Sequence, residues 1–482
     1  MHMRMLRMFS RYGLVGACIF SCELIFCQDI FVIENVNIIS MTKEEIDFDR
    51  AVVVRKGTID QITRMKKLKI PRGAQRIDGK GAYIIPGLFD MHLHFYHDYG
   101  LDEKYLSEEV KLPLANGVTT IRIMDGQDNY LALKKKIEEG VVTGPDMFVA
   151  SPQFVGKWPF KSKFSGYMAV NAAEAANQVA EFKRQGYSEI KLAQFITPAV
   201  YEAVTKAAKK AGIPVTGHVG PDVKLYRALD ARQQIEHMDE FIEALLSDST
   251  VNSGKSVSDV GIWNKKAAWP TLEYVDESKI DALVKRVKNA GIYVTPTNYF
   301  FITFFARGAT PEQIKQYAGY NYVPAFHKTN VDGSQEFFWK DPPSEALRGK
   351  YVSIRYKLVN ALHKAGVKLM AGSDGPEWYL APGFALHNEL EAFTEAGLSN
   401  YAALETATKN PALHLGIADR KGTIEKGRQA DFVLLERNPL IDIKNTRTVQ
   451  GVFMKGKYFD RKALDKLLAD AIVIGSVTKG NE

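Results

Sequence analysis

Hydrophobic residues near the two ends of the chain recur with the spacing of β-strands. Residues 31–39 alternate between apolar and polar side chains, and the apolar run 51–55 precedes a turn at Gly57. The same β-rich pattern returns at residues 430–435 and 449–457. Because these two strand-rich ends flank a mixed middle, the pattern predicts one small β-sandwich domain built from both chain ends.

The middle of the chain, from residue 86 to about 415, follows a different pattern. Short apolar strands alternate with amphipathic stretches, as in the predicted helices at 198–211, 280–290 and 356–365. The order helix, glycine, buried strand, polar residue recurs, which is typical of consecutive βαβ units. The prediction is an α/β protein with a (β/α)8 TIM barrel. Two aromatic-rich insertions, 245–272 and 300–348, are expected to form lids over the barrel mouth.

The first 27 residues resemble a signal peptide. Arginines at the start are followed by an apolar run over residues 12–27, which is short for a membrane span. The prediction is an exported protein, periplasmic or secreted, with a retained N-terminal anchor as the alternative. The predicted division is a signal peptide at 1–27, β-domain parts at 28–85 and 416–465, the barrel at 86–415 and a C-terminal tail at 466–482.

Composition narrows the function classes. The 482 residues include 46% hydrophobic and 25% charged residues, which is ordinary for a globular enzyme. The net charge of +7 is spread over the chain without a basic block interleaved with aromatic residues, so nucleic acid is not an expected partner. We expect a small-molecule substrate and no membrane span in the mature chain, and we leave a homo-oligomer open. All three cysteines lie in the predicted signal peptide, which leaves no thiolate ligand after cleavage.

Metal-binding residue types recur where barrel strands should end. His92 and His94 are two apart on a strand, so they point to the same side and could chelate one metal, although two loop histidines would give the same letters. Lys191 is alone in an apolar strand. Burial would favour loss of its proton, and a neutral amine beside metals can become a carbamate; a lysine reaching out to solvent is the alternative.

Three later strands end in His218, His237 and Asp374. Each is unremarkable alone, because histidines are often structural and an aspartate after Gly-Ser often caps a turn. Together with the earlier residues they form a set of four His, one Lys and one Asp in barrel order. Nitrogen and oxygen ligands without thiolates suit Zn²⁺, with Mn²⁺, Co²⁺ or Fe²⁺ as alternatives.

The chain resembles the amidohydrolase superfamily, and within it the imidazolonepropionase-like and Xaa-Pro dipeptidase-like branch. The resemblance covers nearly all of the mature chain. It departs from the family at Arg122, because relatives often have Asp directly after this Arg, which leaves the role of this strand open. The matching stretches are Pro86-Gly-Leu-Phe-Asp-Met-His-Leu-His, Glu189-Ile-Lys-Leu, Gly217-His218, Ile235-Glu-His237, Gly372-Ser-Asp374 and Lys426-Gly-Arg-Gln-Ala-Asp.

The resemblance implies a binuclear centre. It assigns His92 and His94 to the more buried metal and His218 and His237 to the second metal. It makes Lys191, as its carbamate, the bridge between the two divalent ions.

The resemblance also implies that Asp374 binds the first metal and carries the proton of a bridging water. The predicted reaction is hydrolysis of an amide-type C–N bond, in a non-peptide or a small dipeptide, by a metal-bridged hydroxide. Apart from the resemblance, the sequence suggests three substrate contacts. Asn298 and Tyr299 follow a predicted strand end, and His97 extends the first histidine motif, with a lid or surface role as its alternative.

Two other functions remain open at the level of sequence. A mononuclear deaminase or cyclic-amide hydrolase of the same superfamily would use His92, His94, one later His and Asp374, and would not need the lysine. A non-catalytic exported metal-binding protein would keep the fold and lose turnover. Three further histidines, at 327, 363 and 414, have no partner that the sequence identifies.

Overall fold

The structure is a computed structural model that describes residues 30–156, 166–169, 171–258 and 268–480. The predicted signal peptide, 1–27, lies outside these residues. Within the described part of the chain, no helix is both long enough and apolar enough to cross a bilayer.

One mixed sheet of eight strands joins the two ends of the chain. Strand Phe432–Leu435 pairs antiparallel with Tyr83–Pro86, and Phe432 lies opposite Pro86. Apolar side chains such as Val52, Phe432 and Phe453 form its core. The shared sheet agrees with the predicted union of the two ends, while a two-layered sandwich stays a prediction. The strands are β1 (Ile30–Ile38), β2 (Asp47–Arg55), β3 (Thr58–Arg64), β4 (Gln75–Asp78), β5 (Tyr83–Pro86), β16 (Phe432–Leu435), β17 (Val449–Met454) and β18 (Lys457–Asp460).

The middle of the chain forms two parallel sheets. The first has the order β6-β7-β8 and the second the order β10-β9-β11-β12-β13-β14-β15. Backbone bonds connect their edges: Ser151 N donates to Glu189 O at 2.8 Å, and Met91 N donates to Ala371 O at 2.9 Å. This α/β arrangement is consistent with the predicted barrel. The strands are β6 (Leu88–Leu93), β7 (Val118–Ile123), β8 (Asp146–Val149), β9 (Phe154–Val155), β10 (Tyr167–Met168), β11 (Ile190–Leu192), β12 (Val215–Gly217), β13 (Gln234–Glu236), β14 (Tyr293–Thr295) and β15 (Lys368–Leu369).

Helices alternate with the parallel strands, and their local sequence explains their ends. The helix Pro198–Ala211 has Thr197 as its N-cap and ends at Gly212, whose φ of 64° is left-handed. The helices are α1 (Leu106–Glu109), α2 (Lys111–Ala115), α3 (Asp128–Glu138), α4 (Ala172–Gln185), α5 (Pro198–Ala211), α6 (Leu225–Asp230), α7 (Asp248–Asn252), α8 (Ile280–Ala290), α9 (Asn298–Phe301), α10 (Pro311–Lys315), α11 (Ala325–Trp339), α12 (Glu345–Lys364), α13 (Phe384–Glu395), α14 (Asn400–Thr406), α15 (Lys409–His414) and α16 (Arg461–Ala471).

The predicted helices at 198–211 and 280–290 coincide with α5 and α8. The one predicted at 356–365 is part of the longer α12, which begins after Ser344, whose hydroxyl accepts a hydrogen bond from Leu347 N. Its amphipathic stripe is interrupted toward the start, which is why the pattern identified only its second half.

The second aromatic insertion is folded and packs beside the parallel sheets. A π-helix spans Ile302–Arg307, and Phe304 stacks on Trp378 with ring centroids 4.9 Å apart. Trp378 lies just beyond β15, so this packing fixes the insertion next to the carboxyl end of the last strand.

Candidate metal centre

All six predicted metal ligands lie at the carboxyl ends of parallel strands or within them. His92 is in β6 and Lys191 in β11, and both side chains are almost completely buried. Asp374 follows β15 and is also buried. Parallel strands present their carboxyl ends to one side of a sheet, which is where ligands bind in α/β proteins.

The four imidazoles form one continuous group. Ring centroids are 5.3 Å apart for His92 and His94, 4.4 Å for His92 and His237, and 4.6 Å for His218 and His237. Residues separated by long stretches of sequence are therefore brought into van der Waals contact, as the strand-end positions predict.

The Asp374 carboxylate faces three of these rings. Its Oδ1 lies 3.3 Å from His92 Nε2 and 3.8 Å from His94 Nε2, and its Oδ2 lies 3.5 Å from His237 Nδ1. His92, His237 and Asp374 each place one potential ligand atom within 4.8 Å of those of the other two residues. This spacing suits three ligands of one ion.

Every imidazole also has an oxygen partner at its Nδ1 atom. Such partners fix the ring orientation and the tautomer, and in metalloproteins they raise the basicity of the other ring nitrogen. The partner is a carboxylate for three rings and a hydroxyl for the fourth. The pairs are His92 with Glu236 at 2.8 Å, His94 with Asp98 at 3.7 Å, His218 with Asp239 at 2.7 Å and His237 with the Thr297 hydroxyl at 2.8 Å.

Beneath His92, an ionic network built on the buried side chains of Arg122, Glu189 and Glu236 forms the floor of the site. Arg122 Nη2 donates to Glu236 Oε1 at 2.7 Å, and Arg122 Nη1 donates to Glu189 Oε2 at 3.0 Å. His414 Nε2 lies 2.8 Å from Glu189 Oε1. These four side chains are called the floor network below. They hold the carboxylate that orients His92.

Two glycines leave room for the ligands. A Cβ on Gly372 would lie 2.6 Å from the Cβ of His92, and a Cβ on Gly217 would lie 3.0 Å from the Lys191 Cδ. Gly217 also has a φ of 121°, which disfavours other residues. Any larger residue at either position would displace a metal-type side chain.

Several site residues adopt left-handed backbone conformations without being glycine. The φ values are 62° for His237, 46° for Thr297 and 57° for Asp374. Each such residue costs about 1–3 kcal/mol and is typically retained at functional sites. The backbone is therefore strained at the points where it presents a ligand or its partner.

Burial and neighbouring charges together set the pKa values in the cluster. Burial lowers the pKa of His94, but Asp98 and Asp374 outweigh it and raise that pKa above its usual value. Burial holds the pKa of His92 and His237 well below the usual value, with further lowering from neighbouring cations. Burial also lowers the pKa of Lys191, against the opposing influence of Glu236 and Asp374. Burial, together with the negative charge of Glu377, raises the pKa of Asp374 to about 8. Neutral imidazoles are the form that binds metals.

The cluster fits a divalent metal. Within the described residues, His92 Nε2 and Lys191 Nζ are buried nitrogen atoms without any hydrogen-bond partner. Such atoms are costly unless a ligand satisfies them. A set of imidazole, amine and carboxylate groups matches the preferences of Zn²⁺ and related ions.

The predicted substrate contacts lie in different surroundings. His97 is satisfied on both nitrogens, by Leu101 O at 2.7 Å and Asn129 Nδ2 at 3.0 Å. Asn298 is buried, and its Oδ1 accepts a hydrogen bond from Arg355 at 3.2 Å. The Tyr299 side chain has a hydrogen bond to Thr303 and is affected by the charges of Glu391 and Arg447. None of these three residues is a predicted metal ligand. Substrate binding by these three residues stays a prediction.

The sequence did not reveal the floor network or the residues beyond Asp374. Arg122 and Glu236 are charged residues within apolar strands, which is a signal of paired burial. His414, which had no partner in the sequence, bonds Glu189, and His327 bonds the loop after Asp374. These partners are distant in sequence, so no local pattern indicates them.

Comparisons with known proteins agree with this geometry. The amidohydrolase family model matches residues 83–458. Ochratoxinase of Aspergillus niger is 24% identical over 418 residues, which cover 78% of this chain and 75% of that protein. A structure titled as a putative prolidase from Bifidobacterium longum has a TM-score of 0.63 and 21% identity, covering 92% of this chain and 99% of that one.

A bottromycin amidohydrolase structure has a TM-score of 0.67 at 20% identity, over 93% of this chain and 91% of that chain. At these identities the solved structures show a shared fold, and the family match covers most of the chain. The chain belongs to the amidohydrolase family and is a hydrolase that acts on carbon–nitrogen bonds.

Proposed function

We propose that this protein is a metal-dependent hydrolase that cleaves an amide bond in a small substrate. The observation that carries the proposal is the convergence of His92, His237 and Asp374 from three separate strands, with the buried His92 Nε2 left unpartnered. A buried nitrogen without a hydrogen bond is costly, and a metal ion held by these three residues would satisfy it.

We infer two divalent ions, most readily Zn²⁺. His92, His94 and Asp374 would hold one, and the stacked pair His218 and His237 would hold the other. Lys191 would bridge them as a carbamate. The support for this is its complete burial among these residues, together with its unpartnered Nζ.

When bound, the metals would lower the pKa of bound water to about 7 and polarise the scissile carbonyl. Asp374 accepts the proton of the attacking water and passes it to the leaving nitrogen, which departs as a neutral amine. Glu236, Asp98, Asp239 and Thr297 keep the imidazoles in one orientation throughout.

The substrate class follows from the relatives. Solved structures named as a prolidase and as an Xaa-Pro dipeptidase share the fold, and ochratoxinase is a sequence relative. Dipeptides and N-acyl amino acids are therefore the first candidates. The aromatic insertion beside the site supports a small substrate over a folded protein.

The wider organisation is proposed with the function. The two parallel sheets would close into a single (β/α)8 barrel at 86–415, and the sheet from both chain ends would form a small β-sandwich from 28–85 and 416–465. Residues 1–27 would direct export and be removed.

The test combines metal analysis with a substrate screen. Protein loaded with Zn²⁺, Mn²⁺ or Co²⁺ is expected to hold two ions per chain and to hydrolyse members of a panel of dipeptides, N-acyl amino acids and cyclic amides. Intact mass spectrometry under non-acidic conditions should show carbon dioxide on Lys191. The variant Lys191→Met should retain about one ion. A metal-loaded protein that hydrolyses no member of the panel would contradict the proposal.

A mononuclear centre is the second candidate. It is favoured by the compact set of His92, His237 and Asp374, which needs no lysine. One ion per chain, with an unmodified Lys191 and unchanged metal content in Lys191→Met, would select it.

A further inference from the structure

The loop after Asp374 carries a second carboxylate beside the metal centre. Glu377 N donates to Asp374 O at 2.9 Å, so a tight turn brings the two acids together. Glu377 is the strongest charged influence on Asp374, and His94 and Asp98 are the charged groups that act on Glu377. Glu377 therefore follows a predicted metal ligand on the same tight turn, and this turn is called the rim of the site below.

Two separate segments hold Glu377 in place. The Tyr99 hydroxyl donates to Glu377 Oε1. The His327 imidazole, from α11 in the aromatic insertion, lies 3.1 Å from Pro376 O and 2.9 Å from Trp378 O through its Nε2, so it ties the backbone on both sides of Glu377. The Tyr99 ring packs edge-on against His327, with centroids 5.0 Å apart. The carboxylate is therefore positioned before any substrate arrives.

His94 is the neighbouring group that can offset the charge of Glu377, and it is an imidazole rather than a permanent cation. Among the residues that the structure describes, no lysine or arginine forms an ion pair with Glu377, and its hydrogen-bond donor is a neutral hydroxyl. The pair Tyr356–Glu395 on the outer helices gives the contrast. There the hydroxyl also donates to the carboxylate, at 2.5 Å, but Arg307 Nη2 completes the pair at 2.6 Å.

A recessed carboxylate held only by a neutral donor is costly unless a charged group joins it. At Glu377 no arginine completes the pair, and the carboxylate belongs to the turn that directly follows the predicted metal ligand Asp374. The cation that completes the set would then come from the substrate.

We propose that Glu377 is a specificity-determining residue that binds a substrate ammonium group next to the scissile bond. The inference rests on the proposed hydrolase function and names its substrate class: aminoacyl amides and dipeptides with a free amino group, in preference to N-acylated compounds. Tyr99 and His327 are positioning residues, since they act through Glu377.

The test measures binding separately from turnover. Zinc-loaded protein carrying Asp374→Asn, which prevents hydrolysis during titration, is titrated with phenylalaninamide and with N-acetylphenylalaninamide by calorimetry. We expect tighter binding of the free amine by about tenfold to a hundredfold, the usual range for a charge-assisted hydrogen bond. Adding Glu377→Gln should remove this preference, and adding Tyr99→Phe should reduce it. The matched control Glu395→Gln should retain it.

Equal affinity for the two probes in the Asp374→Asn parent would overturn the inference. So would Glu377→Gln if it weakened both probes to the same extent, because that result would mean a general effect on the metal centre. Neither result bears on whether the wild-type enzyme hydrolyses C–N bonds, which is decided by the substrate screen. The two proposals can therefore fail independently.

Discussion

The floor and the rim of the candidate site differ in how their carboxylates are stabilised. On the floor, Arg122 lies between the carboxylates of Glu189 and Glu236, and the network is closed off from solvent. At the rim, Glu377 has a tyrosine hydroxyl and, among the described residues, no lysine or arginine partner. The difference indicates that the floor is complete without substrate and fixes the metal ligands, while the rim is completed by what binds there.

Asp374 joins the two regions, and replacing it should have the largest effect. Asp374→Asn removes the group that transfers the proton, so kcat should fall by about 10²- to 10⁴-fold. Calorimetric titration with Zn²⁺ should show that the variant still binds metal through its histidines. Wild-type turnover in metal-loaded Asp374→Asn would refute the assigned role.

The floor is best tested at Glu236. Glu236→Gln removes one of the two carboxylates that pair with Arg122, and it weakens the hydrogen bond that orients His92. The affinity for Zn²⁺, measured in competition with a chelator, should therefore fall by about 10- to 100-fold. The thermal midpoint of the variant should fall as well.

Glu109→Gln is the matched control for that substitution. Glu109 is also fully buried, but burial raises its pKa well above the ordinary value, so the folded protein holds it neutral and an amide is a close substitute. Zinc affinity should stay within about twofold of wild type. Equal losses in the two variants would show that the floor network has no particular role in metal binding.

The rim should respond more weakly and in a different parameter. His327→Leu removes the hydrogen bond to the backbone around Glu377, so KM for a hydrolysed amide should rise by about twofold to tenfold while metal affinity stays near wild type. Steady-state kinetics on a substrate from the screen measures this. If His327→Leu instead lowered the metal content, the loop after Asp374 and the floor network would both be needed to hold the metal ligands.

A smaller effect is expected from a buried histidine outside both regions. Burial lowers the pKa of His387 from 6.5 to about 3, and its ring bonds Thr446 and Asn116 O. Below pH 6.5 the unfolded chain takes up a proton that the folded chain does not, so His387 contributes stability that is lost as the pH falls from 6.5 toward 3.

His387→Gln should therefore show a smaller drop in thermal midpoint between pH 7 and pH 5 than wild type, by about a few degrees. The half-buried His363, replaced in the same way, is the comparison: burial lowers its pKa too, but it is less buried than His387, so His363→Gln should change the pH dependence less than His387→Gln does. Parallel behaviour of His387→Gln and wild type would contradict the assignment.

Much of the site could be predicted because its ligands mark the ends of strands. Alternation places His92 and His94 on one side of β6, and the recurring strand-end polar residues identified Lys191 and Asp374. The pairing of Arg122 with Glu236 could not be predicted, because it depends on how strands distant in sequence face one another across the sheets. Nor could the role of His327, since a helix periodicity does not say which loop the helix touches.

The sheet shared by the two ends of the chain has a consequence for how the protein is made. Tyr83 in β5 pairs with Leu435 in β16. The pairing of these two strands can therefore form only after nearly all of the polypeptide has been synthesised. Contacts so remote in sequence form late and slowly, and the open edge of β5 is exposed to aggregation in the meantime. Shortening either terminus should thus impair the yield of soluble protein even when every residue around the metals is intact.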